Sequence, residues 1–391
     1  MRRDGLTAVT RTARPALVVY GAGNIGRGIV SLLFSRAGYR LLFYRRDRTA
    51  LLDMQARGGY AVRLQGGAPE ESVPIVDFGV LTDREALLDA LTDCDLAACC
   101  LYPAAFAQAA ETLAEACRRR AVPLNVLLCC NEPEGAELLR RAAEQALPPE
   151  ERSGALSRLR VIPSIVYSAG FPSPDGGPYD VTVSANGYIE AERGAFSGSV
   201  PQVPGLRPVD GVNARLCRKL YLGNLFHTYA ALLGAERGYE TMAQCYADPA
   251  LRRLVEEAFS QSEDALLSAW SFDPEEHLRW RTMMLDKMDH PSGDRIERVL
   301  RDLPRKLRRE DRLIGPALLC VRQGLPCGRL ADAAALALER LGREQPDFGR
   351  ALREGPAAAV GTACGLSAGD AAQQTLIEQI VRRLRQRRSE C

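Results

Sequence analysis

The sequence predicts an α/β fold, a Rossmann-type, mostly parallel sheet domain followed by an all-helical domain. Two patterns carry that expectation. Short, continuously apolar runs alternate with amphipathic helical stretches as far as about residue 200, and past residue 211 nearly every segment keeps helical periodicity. Strands that are apolar at every position have both faces covered, which is the property of a parallel sheet between helical layers. The first run, 16–20, ends in a glycine turn, and helical apolar spacing follows over 25–37 with Gly38 as its stop. A second strand is expected over 41–44, then a polar helix to about residue 57. Strands over 95–101 and 124–130 are flanked by helices over 104–119 and 134–147, and 160–166 and 179–184 add strands near the end of this half. The Pro/Gly/Ser-rich stretch 197–205 reads as a domain edge. The expected organisation is a disordered leader over 1–15, a sheet domain over 16–205 and a helical domain over 206–391.

A chain of 391 residues suits two domains better than one core. With 51 Lys and Arg against 49 Asp and Glu, it lacks the charge excess that captures nucleic acid or membrane surfaces. No apolar run approaches the roughly 20 residues that span a bilayer. The leader has four arginines but no apolar stretch of a secretion signal. The adjacent pairs Cys99-Cys100 and Cys129-Cys130 lie in apolar runs as small hydrophobes, no CxxC occurs, and His227, His277 and His290 lack zinc-finger spacing. The expectation is a reduced, cytoplasmic protein, monomer or homodimer, with a small-molecule partner and no structural metal.

In Gly21-Ala22-Gly23-Asn24-Ile25-Gly26 the first glycine permits the tight turn. The second lets backbone approach a pyrophosphate, and the third lets helix pack close to strand. Following a strand and opening a helix, the turn reads as a dinucleotide site, with the helix N-terminus facing the phosphates. The residue ending the second strand selects the cofactor. Here it is Arg45, next to Arg46, and two guanidiniums suit the 2′-phosphate of NADP. The competing reading leaves both arginines in solvent and turns Asp47 toward NAD.

Past residue 211 the chain carries Lys219, Asn224 and His227 among Leu216, Leu220, Leu222, Leu225 and Phe226. At about 100° per residue, Asn224 lies about 140° and His227 about 80° from Lys219, one broad face. Apolar surroundings push a lysine's pKa down, toward the range of a general base. Read alone, the residues favour a solvated lysine and a core histidine.

The Lys-x4-Asn-x2-His spacing resembles that of the polyol-specific long-chain dehydrogenases. The glycine turn through Gly28 and the segments 294–299, 305–307 and 311–316 extend the resemblance, in order, from about residue 17 to beyond 330. It is closest to the branch that acts on mannitol 1-phosphate. The resemblance implies an NAD(P)-dependent oxidoreductase that interconverts a sugar alcohol phosphate and a ketose phosphate by direct hydride transfer. Lys219 would be the acid/base, Asn224 and Asn131 would hydrogen-bond the reacting oxygen, and His227 would orient substrate hydroxyls. Asn131 also follows an apolar strand at the edge where open sheets bind ligands. Arg298, Arg305, Lys306 and Arg312 are candidates for the substrate phosphate, against a reading in which they form a solvated face paired with Glu297, Glu310 and Asp311.

Three positions depart from the family pattern. Arg45 and Cys130 stand where acidic residues are usual, and Tyr167-Ser168 stands for an Asp-Arg pair. A free-polyol or hexuronate dehydrogenase, or a cofactor- or sugar-phosphate-binding protein without turnover, are the alternatives.

Overall fold

The computed structural model describes residues 14–66, 71–168, 170–289 and 294–390. The expected leader as far as residue 13, and His290, lie outside them. Arg14 and Pro15 do not belong with a free leader. The Pro15 carbonyl accepts the Arg40 amide at 2.8 Å, and Arg14 Nε donates to the Gly38 carbonyl at 3.1 Å. The chain divides into two compact units between Asn213 and Ala214.

The first unit holds twelve strands among its described residues: β1 (Ala16–Tyr20), β2 (Arg40–Tyr44), β3 (Tyr60–Gln65), β4 (Glu71–Ile75), β5 (Phe78–Val80), β6 (Leu96–Cys99), β7 (Leu124–Cys129), β8 (Leu159–Tyr167), β9 (Gly170–Pro172), β10 (Val181–Ser184), β11 (Tyr188–Glu192) and β12 (Leu206–Val209). Eight form one sheet in the order β12-β11-β8-β7-β6-β1-β2-β5. Every neighbouring pair is parallel except β8 with β11. The apolar strands explain themselves by alternation. Leu17, Val19, Ala98 and Leu127 enter the core on one face, whereas Val18, Tyr20, Ala97 and Val126 enter the other. Each buried Leu or Val contributes about 1.5–3 kcal/mol, so neither face tolerates exposure.

The remaining four strands form a second sheet, β4-β3-β10-β9. Residues 58–80, from which β3, β4 and β5 come, carry no element in the sequence reading. β3 buries Tyr60, Val62 and Leu64 but leaves Ala61 and Arg63 half-buried, so it lacks the continuously apolar run that marks the strands of the larger sheet. β12 pairs with β11 beyond the 197–205 stretch, so the sheet continues past that Pro/Gly-rich segment.

The second unit is helical, with one isolated bridge, Thr241 to Arg295, among its described residues. Its core gathers Leu225, Phe226 and Tyr229 of helix Leu225–Glu236, Val255 and Phe259 of helix Pro249–Ala269, and Leu330 and Leu338 of helix Gly328–Glu344. No helix among the described residues is long and apolar enough to cross a membrane.

Candidate active site

The three glycines of the first turn differ in what surrounds them. Gly21 has φ +98°, and a Cβ there would lie 2.6 Å from the Cys100 carbonyl oxygen. It takes the sharp bend, tied to β2 by its amide donating to the Tyr44 carbonyl at 2.9 Å. Gly26 would place a Cβ 2.7 Å from the Gly21 carbonyl oxygen and 2.9 Å from Val19, so it permits close packing of helix on strand. A Cβ on Gly23 would meet nothing within 4 Å. That open side lies at the carboxyl end of β1, where the strand order reverses, β2 on one side and β6 on the other, the usual place for a dinucleotide. Asn24 and Ile25 are half-buried, and Ile25 closes on Gly170 of the second sheet. These residues fit a bound dinucleotide: a tight bend, an open glycine and a close-packed helix start.

Arg45 follows β2 directly and is half-buried; Arg46 is exposed and donates to Gln108 Oε1 at 3.2 Å. Arg27 is drawn into the same region, donating to the Ala22 and Tyr179 carbonyls. Its pKa is lowered by burial and then by the nearby charge of Arg45, so the end of β2 is a cationic environment. Asp47 is occupied otherwise, its carboxylate accepting the Thr49 amide at 3.1 Å at the start of the next helix.

Asn131 stands exposed two residues past β7, at the carboxyl edge of the sheet. Cys130 beside it is half-buried, and burial pushes its thiol up to about 12. Tyr167 stacks on Tyr188 with ring centroids 4.7 Å apart, and Ser168 Oγ accepts the Ser184 amide at 3.1 Å.

The helix bearing Lys219 corrects the even 100° spacing. Residues Lys219–Asn224 wind as a wide π turn, with the Leu225 amide reaching back to Leu220 rather than to Tyr221. A turn closed between i and i+5 advances roughly 82° per residue, so Asn224 falls about 50° from Lys219 and, with about 100° steps resumed beyond it, His227 about 10°. By this winding the three polar residues, all half-buried, would fall on a narrower stripe than an α-helix would give. Ahead of the turn, buried Arg218 pairs with Glu276 at 2.7 Å and stacks between Phe272 and Trp280, each ring centre 4.9 Å away.

His227 is held at both ring nitrogens. Nδ1 lies 2.7 Å from the Tyr246 hydroxyl, and Nε2 lies 3.1 Å from Asp294 Oδ2, which also accepts from Arg298. Burial works to raise the Asp294 pKa, but hydrogen bonds from His227 and Arg298 and their charge outweigh it and hold the carboxyl well below its usual range. An ionised Asp294 only accepts, so Nε2 carries the hydrogen.

The other cations proposed for a phosphate also have protein partners. Arg305 bonds Asp302 at 2.9 Å and Asp311 at 3.0 Å, and Arg312 bonds Asp311 at 2.8 Å. Lys306 is buried, donating to the Val299 and Arg301 carbonyls. Burial, with Arg312 and Arg305 alongside, pushes its ammonium down to about 7. The structure brings Arg305, Lys306 and Arg312 together and links Arg298 to His227 through Asp294. Sequence reasoning missed Tyr246 and Asp294 as partners of His227; Asp294 opens a recognised segment, whereas nothing local marks Tyr246.

A glycine-turn Rossmann sheet with a helical unit carrying a Lys-Asn-His stripe defines a class of nicotinamide-dependent dehydrogenases, and comparison with known proteins specifies which. A model of the mannitol dehydrogenase Rossmann domain matches residues 15–156, and one of the mannitol dehydrogenase C-terminal domain matches residues 212–354. The chain belongs to the mannitol dehydrogenase family, oxidoreductases acting on a polyol CH–OH group. It is 29% identical over 337 residues to the mannitol-1-phosphate 5-dehydrogenase of Bacillus licheniformis, spanning 82% of this chain and 86% of that protein. In fold it is similar to Pseudomonas fluorescens mannitol 2-dehydrogenase, solved with NAD and D-mannitol, at TM-score 0.77 and 14% identity over 97% of this chain and 93% of that one. It is also similar to a substrate-free D-sorbitol dehydrogenase at TM-score 0.72 and 15% identity, covering 96% of this chain and 94% of that one.

Proposed function

We propose that the enzyme interconverts a sugar alcohol phosphate and a ketose phosphate, of the mannitol 1-phosphate and fructose 6-phosphate type, with NADP favoured over NAD. The observation that carries the chemistry is the wide turn over Lys219–Asn224, whose winding would bring Lys219, Asn224 and His227 onto one stripe. The relative at 29% identity that acts on mannitol 1-phosphate supports the phosphorylated substrate. Arg45, with Asp47 engaged at its own helix start, supports NADP.

A bound nicotinamide would supply the hydride acceptor or donor. In the oxidising direction neutral Lys219 takes the hydroxyl proton as the carbon gives up its hydride, leaving a ketone and an ammonium. In the reducing direction the ammonium returns that proton to the new alkoxide. Asn224 and Asn131 donate to the oxygen as charge develops on it. His227, with Asp294 fixing its tautomer, lines the same stripe. Arg298, Arg305, Lys306 and Arg312 would receive the phosphate. Their existing bonds to Asp294, Asp302, Asp311 and backbone favour a second reading, a free polyol or hexuronate substrate.

The test is reduction of fructose 6-phosphate, fructose, fructuronate and tagaturonate with NADPH and NADH, by wild type and Lys219→Ala. The expected outcome is fastest turnover with fructose 6-phosphate and NADPH. The variant should lose about 10²–10⁴-fold in kcat, with cofactor binding unchanged. Fructose reduced as well as its phosphate supports the second reading, no turnover of any substrate supports a binding protein, and an active Lys219→Ala removes the lysine from the chemistry.

A further inference from the structure

We propose that Ser262 is a positioning residue: its hydroxyl holds residues 219–224 in the wide turn that lines up Lys219, Asn224 and His227. The proposal rests on the reading that Lys219 and Asn224 act on the substrate.

In an α-helix the Leu225 amide would donate to the Tyr221 carbonyl, four residues back. Here it donates to Leu220 and Leu222, which deprives Tyr221 of that donor. Ser262, fully buried on helix Pro249–Ala269, donates to this same carbonyl at 2.7 Å. A buried carbonyl left without a donor is costly, so a side chain that supplies one decides which of two windings is stable. Packing fits the wide winding closely. A Cβ on Gly223, at the crest of the turn, would lie 2.7 Å from the Met284 methyl.

The first unit repeats the device independently. Residues Gly26–Val30 also wind wide, through a kink at Gly28 (φ −84°, ψ −109°), with the Ser31 amide reaching Gly26 and Gly28 instead of Arg27. The Arg27 carbonyl, bypassed in the same way, accepts the buried Tyr60 hydroxyl at 2.7 Å. In each unit a hydroxyl from another element replaces the one helical donor that the wide turn removes. π turns of this kind recur at functional sites.

Without the serine hydroxyl, the segment regains its missing bond by tightening to an α-helix. Asn224 and His227 then swing from about 50° and 10° to about 140° and 80° from Lys219. Misplacing groups that share one reacting oxygen lowers kcat while the cofactor, bound elsewhere, is held as before.

The test is Ser262→Ala, compared with wild type and Lys219→Ala by crystallography and by steady-state kinetics on the ketose reduced fastest by wild type. We expect Leu225 N–H bonded to Tyr221 O in the variant, kcat lowered at least about tenfold and the cofactor KM unchanged. A wide turn that persists without the hydroxyl overturns the proposal, as does an α-helical turn with wild-type kcat. If Ser262→Ala does not fold, Ser262→Cys, of similar size but a weaker donor, takes its place, and wild-type kcat with the thiol unbonded to Tyr221 overturns the proposal. An active Lys219→Ala overturns the catalytic reading, and with it the positioning role. The crystallographic arm then reports separately whether Ser262 sets the turn.

Discussion

In the proposed reading, Arg45 occupies the position whose side chain chooses between two cofactors. It is half-buried beside Arg27 at the end of β2, and no carboxylate among its immediate chain neighbours is disposed to cancel it, since Asp47 serves the following helix. Arg45→Asp should therefore raise the NADH to NADPH preference in kcat/KM by about tenfold or more. An unchanged ratio would place Arg45 outside the cofactor site. Asp294 offers a residue-scale prediction about stability. Its carboxyl is held below its usual range by His227 and Arg298 against the opposing effect of burial. A depressed folded pKa means that the contribution is complete above the unfolded value of about 4 and is lost as pH falls below it. Asp294→Asn should be destabilised by about 2 kcal/mol at pH 7, and the gap should narrow as urea titrations move from pH 5 to pH 3. A gap independent of pH would mean that the ion pair contributes nothing.

At the scale of elements, the glycine turn separates structure from binding. Gly21 is committed to a left-handed bend against the Cys100 carbonyl, whereas Gly23 faces open space. Gly21→Ala should cost on the order of 2 kcal/mol and weaken cofactor binding, while Gly23→Ala should leave the melting temperature unchanged and weaken cofactor binding alone. Fluorescence titration with NADPH alongside thermal melts checks the contrast, and equal losses of stability in the two variants would defeat it. The helix carrying Lys219 shows where sequence reading stopped. The residue types were legible, and their spacing predicted one shared side. Their angles were not, because even 100° spacing assumes that every amide reaches four residues back. That assumption fails at Leu225.

For the whole molecule, the parallel sheet and the helical second unit were visible because their patterns are local and repeated. Continuously apolar strands and unbroken helical periodicity arise from each element's own desolvation. The second sheet was not visible, since β3 and β4 alternate or stay largely exposed instead of running continuously apolar, β9 has three residues, and all take their stability from pairing. The cations of residues 298–312 were visible as charges, but their partners were not. Asp311 joins Arg305 and Arg312, and Asp294 joins Arg298 to His227, only once the helices are packed.

The amino-acid order alone determined the class of fold, the glycine turn and the three polar residues of the helical stripe, because backbone sterics and apolar spacing act between near neighbours. Tertiary structure decided the widening of the helices at 26–30 and 219–224 and the partners of His227 and of the four basic side chains. The physical reason is that a bypassed carbonyl or a buried charge is satisfied by whatever donor or acceptor the fold delivers, and Ser262, Tyr60 and Asp294 come from elements distant in the chain.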